Sequence, residues 1–155
     1  MYSRIVVTLD GSEFAEDALV HAVGLAKLMN VPLRLVRVSG AHSVERAVAA
    51  GAATDYIAMG QFIEDEVKEA ERYIAAIAND LTAQELQVTG TVENGPVIRS
   101  ILEQVQTGDL LVLASHGRTG IARWFLGSVS EEVVRRSPVP VLLIRNKLGA
   151  TDVQD

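Results

Sequence analysis

Residues able to do chemistry are concentrated in one late stretch, "ASHGRTGIARWFLGS" (114–128), which holds Gly117, Gly120, Gly127, Ser115, Ser128, His116 and the chain's only tryptophan, Trp124. Ser115 and His116 are adjacent, and neighbours on an extended chain point in opposite directions, so they do not form a nucleophile–base pair. The nucleophile-elbow pattern G-x-S-x-G is absent, since Leu113-Ala114 precede Ser115. A Walker loop is excluded because Lys27, Lys68 and Lys147 do not follow its spacing, and the dinucleotide pattern G-x-G-x-x-G is missing as well. A simpler phosphate cradle survives. Gly117 and Gly120 let backbone N–H groups approach a ligand, and Gly127-Ser128 opens a helix whose first N–H groups and dipole favour an anion. Ser128 can donate its hydroxyl, and Arg118 or Arg123 can add charge. Plainer uses exist for the same residues. Ser128 with Glu131 matches a capping box, Asp10 can cap the first helix with Glu13 three residues on, and Trp124 to Leu126 can simply cover a sheet end. Residue chemistry by itself leaves both readings open.

The elements around this stretch alternate. "RIVVTL" (4–9) is a short β-branched run that ends at Asp10-Gly11, a strand and its exit turn. Phe14, Ala18, Ala22, Leu25 and Met29 recur as one helical face, and Asn30 and Pro32 stop that helix. "LRLVRV" (33–38) is a second strand. Residues 39–60, rich in alanine and glycine, read as a loop with one short helix. Ile63, Val67, Ala70, Ile74, Ile77 and Leu81 then keep a helical rhythm, with Glu64 and Lys68 placed to pair. A strand is predicted over 86–92, a helix with Pro96 at its first position, and a strand over 109–115. The helix "SVSEEVVRRS" and the strand "PVPVLLIR" complete the order. Five strands separated by four helices predict an α/β fold with a largely parallel sheet and helices on both faces. Ligands of such sheets sit beyond the carboxyl ends of the strands, where strand order reverses. That rule singles out Asp10-Gly11-Ser12, Val38-Ser39 and Ser115-His116-Gly117.

The whole chain narrows the function classes. Its 155 residues suit one domain, here residues 1–146 with a mobile tail over 147–155, and 48% of them are hydrophobic. A chain of this size buries roughly 70% of its unfolded surface and needs no staples. Cysteine is absent, which excludes disulfides and thiolate metal sites, and His21, His42 and His116 are too dispersed for a histidine-rich one. A net charge of -6 disfavours nucleic acid, yet Arg118, Arg123, Arg135, Arg136, Arg145 and Lys147 outnumber Glu131 and Glu132 locally. A basic patch on an acidic protein fits a small polyanion. No apolar run reaches the ~20 residues that span a bilayer, and the opening residues lack a signal-peptide core, so a cytoplasmic location is expected.

These residues converge on a family. Over Arg4 to Arg145 the chain resembles the universal stress proteins, through "RIVVTLDGSEFAEDAL", "GPVIRSILEQVQTGDLLVLASHGRTG" and "FLGSVSEEVVRRSPVPVLLIR". ATP-binding members carry G-x-x-G, nine residues, then G-[ST]; here Gly117, Arg118 to Leu126 and Gly127-Ser128 match, while Ala114 stands at the first glycine position. The resemblance implies a Rossmann-like fold of the adenine nucleotide alpha hydrolase type, with a five-stranded sheet in the order 3-2-1-4-5. It also implies that Thr8, Asp10 and Val38 line an adenine and ribose pocket. Leu113 and Val129 would flank a phosphate segment formed by Ala114, His116, Gly117, Arg118, Gly127 and Ser128. The implied ligand is ATP, with AMP or ADP as alternatives and Mg or Mn shared by the phosphates. A homodimer through the last strand, Val139 to Arg145, is expected too, because Pro140 suits an edge strand and an exposed apolar edge needs a partner. No water-activating base stands in the motif apart from Asp10 or His116, so hydrolysis is expected to be slow or incidental; a slow ATPase or self-phosphorylating enzyme is one alternative reading. A scaffold that binds no nucleotide is the other.

Overall fold

The structure, a computed structural model, describes residues 1–39, 56–115 and 127–145. The β-branched run Arg4–Thr8 forms β1, and Asp10-Gly11 turns the chain into helix α1 (Glu13–Met29). Ser12, not Asp10, caps α1: its hydroxyl accepts the N–H of Ala15 at 3.2 Å. Glu13 and Glu16 in the first turn and Lys27 in the last complement the helix dipole. Asn30 ends α1 in the left-handed conformation (φ 52°), which an asparagine tolerates. Strand β2 (Leu33–Ser39) follows, one residue longer than the expected 33–38.

Helix α2 runs from Tyr56 to Thr82, 27 residues or about 40 Å. It therefore begins inside the segment read as irregular. The alanines and glycines there blurred the apolar period, which becomes regular only from Ile63. Farther along, Ala70, Ile74 and Leu81 are buried as the rhythm predicts, and Lys68 donates to Glu64 at 2.6 Å. Strand β3 is Val88–Asn94, two residues later than the expected 86–92. Leu86 is buried, but it belongs to the helix exit: Glu85 is left-handed (φ 66°), and the Leu86 N–H donates to Leu81 at 3.3 Å. Pro96 is the N-cap of α3 (Val97–Leu102) rather than its first residue. Strand β4 is Asp109–Ser115, helix α4 is Ser128–Arg136 and strand β5 is Val141–Arg145. Residues 138–140, expected in the last strand, form a bend in which the Ser137 hydroxyl donates to the Val139 carbonyl at 2.8 Å.

All sheet pairings are parallel, in the order β3-β2-β1-β4-β5. Two cores result. On one face Ile5, Val7, Leu9, Leu33, Leu35 and Val112 pack against α1 and α2 through Ala15, Ala18, Ala22, Ala26 and Ile74. On the other, Val6, Val36, Leu111 and Leu113 pack against α3 and α4 through Ile101 and Val133. The α1 stripe is made of alanines, so that helix lies close to the sheet. β3 and α2 approach as closely: a Cβ at Gly90 would fall 2.3 Å from Ile74 Cγ2. Ile74 is buried and β-branched, so it cannot swing away. Gly90→Ala is expected to lower the unfolding free energy by about 1–3 kcal/mol in urea denaturation.

Below the sheet, at the amino ends of its strands, an ionic pair fixes β1 to β4. Arg4 donates Nε to Asp109 Oδ1 at 3.0 Å and Nη2 to Oδ2 at 2.5 Å. Asp109 also accepts the Gln106 N–H at 2.8 Å and is wholly buried. Arg4 Nη2 reaches the Gln104 carbonyl at 3.2 Å, and the Gln104 side chain links Arg34 to Glu93. This network sets the strand that carries Leu113 to Ser115 to the opposite end.

Candidate functional site

The strand order reverses between β1 and β4, so their carboxyl ends frame the crevice that such sheets use. Val7 pairs with Val112, which puts Thr8 beside Leu113. Thr8 also pairs with Val36, two residues before Val38. Side chains alternate along a strand, so Thr8 shares the α3/α4 face with buried Val6. Leu113 and Val38 pack on that face too. The structure thus brings Thr8, Val38 and Leu113 to one face and one end of the sheet. Ala114 alternates to the other side, where it packs against the α1/α2 core.

Helix α4 supplies the second wall. Gly127 is its N-cap, no side chain among the described residues caps it, and the first backbone bond runs from the Glu131 N–H to the Gly127 carbonyl at 2.9 Å. The capping box foreseen for Ser128 and Glu131 does not form, because Ser128 is already the first helical residue and its side chain is exposed. Val129 is exposed beside it at 38%. The helix presents the N–H groups of its first turn, and an anion is the natural counterpart. Its placement is set by Ser130, which is buried and donates its hydroxyl to the Ala114 carbonyl at 3.1 Å. That bond ties the amino end of α4 to the carboxyl end of β4. Sequence reasoning passed over Ser130; its position two residues after Ser128, between Val129 and Glu131, carried no motif.

The third wall is the turn after β1. Asp10 Oδ1 accepts both the Ser12 N–H at 2.9 Å and the Ser12 hydroxyl at 2.6 Å. The carboxylate thus organises the turn rather than capping α1 itself. Gly11 adopts φ 84°, a conformation that an L side chain rarely takes. Beneath the turn, the Arg37 guanidinium lies 4.9 Å from the centre of the Tyr73 ring on α2. Burial, and next the Glu16 carboxylate, push the Tyr73 phenol above its ordinary pKa; Asp10 adds to the rise and Arg37 opposes it.

Of the residues predicted for the site, Thr8, Asp10, Val38, Leu113, Ala114, Gly127, Ser128 and Val129 are described by the structure. His116, Gly117 and Arg118 lie outside the described residues, as do the 40–55 segment and the 147–155 tail. Among the described residues no group of three His, Cys, Asp or Glu side chains converges on a metal position.

A parallel α/β sheet with helices on both faces and a glycine-opened helix beside the switch-point strand defines a Rossmann-like class. The comparisons with known proteins are more specific. The sequence pattern of the Universal stress protein family matches residues 1–145, and the chain belongs to that family. Universal stress protein YxiE of Bacillus subtilis (strain 168) is 30% identical over 94% of this chain and all of its own length. Universal stress protein MJ0531 of Methanocaldococcus jannaschii is 26% identical over 94% of this chain and 83% of its own. Among solved structures, hypothetical protein MJ0577 superposes with a TM-score of 0.75 at 24% identity, covering 96% of this chain and 99% of that one. A universal stress protein in complex with cAMP superposes with a TM-score of 0.59 at 25% identity, covering 93% and 97%. A universal stress protein from Archaeoglobus fulgidus in complex with dAMP gives 0.61 at 19% identity, covering 92% and 97%.

Proposed function

We propose that the protein binds an adenine nucleotide, ATP first among them, and acts as a nucleotide-dependent regulatory module of the stress response in the cytoplasm. One observation carries this reading: the uncapped amino end of α4 is tied by Ser130 to the strand end that Thr8, Val38 and Leu113 surround. Apolar Val38 and Leu113 offer a surface for the base, Thr8 and Asp10 offer polar groups for base or ribose, and the α4 N–H groups with Ser128 meet the phosphates. Gly117 and Arg118 join from the motif, with His116 adjacent, and a Mg or Mn ion shared among phosphate oxygens would offset their charge. The family members solved with cAMP and dAMP support the choice of an adenine ligand. A single domain over residues 1–146 would hold the whole site.

The departure at Ala114 favours a second reading, a scaffold without nucleotide. The packing of Ala114 weakens that alternative, since its methyl faces the α1/α2 core and not the crevice. Ala114→Gly is expected to raise nucleotide affinity by less than about threefold, equivalent to under about 1 kcal/mol, in calorimetric titration. Dimerisation would proceed through β5, an edge strand whose Val141, Leu142, Leu143 and Ile144 are all half-buried in one copy. Chromatography of the small molecules released by denaturing the purified protein tests the function. An adenine nucleotide in near-stoichiometric amount supports it. None released, even after incubation with ATP and magnesium, supports the scaffold.

A further inference from the structure

Arg37 has no part in the motif, yet it reaches the turn that holds Asp10. It alternates with Val36 and Val38, so it leaves β2 on the face opposite Val38, toward α1 and α2. A Cβ at Gly11 would lie 3.3 Å from Arg37 Nη1, 3.5 Å from Nη2 and 3.6 Å from Cζ. The near-equal distances mean that the flat guanidinium is laid against the turn. The same group stands 4.9 Å from the Tyr73 ring centre, within cation–π range. The Tyr73 hydroxyl is buried and has no hydrogen-bond partner among the described residues, so what tyrosine contributes here is its ring.

We propose that Arg37 is a positioning residue of the nucleotide site: its guanidinium, resting on Tyr73, supports the Asp10–Ser12 turn and so sets the Asp10 carboxylate toward the ligand. The inference deepens the nucleotide reading and rests on it. It also makes α2 a structural support of a site whose direct contacts lie on other elements. The planar group is the essential feature, since a lysine keeps the charge but has no plate to lay between a glycine and a ring.

The test is calorimetric titration of the full chain with ATP and magnesium. Arg37→Ala, Arg37→Lys and Tyr73→Leu are each expected to weaken binding about tenfold, the range of contact couplings. In an Asp10→Ala background the Arg37→Ala change should add less than about twofold, because the group it acts through is gone. A general loss of structure would not produce that non-additivity. Should Arg37→Ala fail to fold, Arg37→Lys in the two backgrounds answers the same question. Unchanged affinity in Arg37→Lys and Tyr73→Leu, or a full tenfold effect persisting without Asp10, overturns the proposal. No ATP binding by the unsubstituted chain overturns the nucleotide reading, and this inference with it.

Discussion

Asp109→Ala is expected to lower the unfolding free energy by about 3–5 kcal/mol, because it strands a partly buried arginine. Asp109 is wholly buried, and both of its oxygens engage Arg4, whose side chain is only 20% exposed. Without the carboxylate, the guanidinium keeps, among the described residues, the Gln104 carbonyl alone, and the Gln106 N–H loses its acceptor. A domain has about 5–15 kcal/mol in total, so such a variant unfolds readily on mild heating. Urea denaturation followed by far-UV circular dichroism measures the change. Replacing both partners, as Arg4→Met with Asp109→Leu, should be less damaging than Asp109→Ala, since no charge is left unpaired. A loss under about 1 kcal/mol for Asp109→Ala would show that the pair contributes little to joining β1 and β4.

The second large effect concerns the ligand. Gly117→Val combined with Gly127→Val is expected to abolish detectable ATP binding while leaving the fold intact. Gly127 is the N-cap of α4, where a branched side chain would crowd the N–H groups proposed to meet the phosphates. Gly117 enters on the motif, as the second glycine of the pattern. Gly127 falls in neither packed core, so the melting temperature should move by no more than about 2–4 °C, the shift that 1 kcal/mol produces in a domain of this size. Unchanged affinity in the double variant would remove the glycine loop from the site and the nucleotide assignment with it.

Much of the fold was legible because strongly patterned segments leave little choice. "RIVVT" and "DLLVLAS" are continuous apolar runs, and they became the central strands, buried from both faces. The rhythm from Ile63 to Leu81 placed the core face of α2 correctly. Boundaries were less legible where tertiary contacts decide them. Leu86 looked like a strand residue because it is apolar, but it is buried in a helix-exit turn closed by Leu81. The first turns of α2 were hidden because alanine and glycine carry no period. Propensity alone did not reveal that a long helix continues back to Tyr56.

The position of the candidate site was legible. Strand ends and a glycine-opened helix pointed to the crevice between β1 and β4, where Thr8 and Leu113 now stand side by side. Division of labour within the turns was not. Asp10 and Ser128 both looked like helix caps, whereas Ser12 caps α1 and no side chain among the described residues caps the amino end of α4. Ser130 and Arg37 were invisible, because each acts through a partner distant in sequence: the Ala114 carbonyl in one case, Gly11 and Tyr73 in the other. Such pairings exist only once the sheet has brought the segments together.

The central claim is that the crevice between β1, β4 and α4 binds an adenine nucleotide. Trp124, the only tryptophan, lies between Gly117 and Gly127 in the sequence and gives that claim an internal reporter. The direct measurement is a titration of nucleotide-stripped protein with ATP and magnesium, followed by Trp124 fluorescence. The account predicts a saturable change with a dissociation constant in the micromolar range, about -8 kcal/mol, that is lost in the Gly117→Val, Gly127→Val variant. A flat titration to millimolar ATP, backed by the absence of heat in calorimetry, would contradict it.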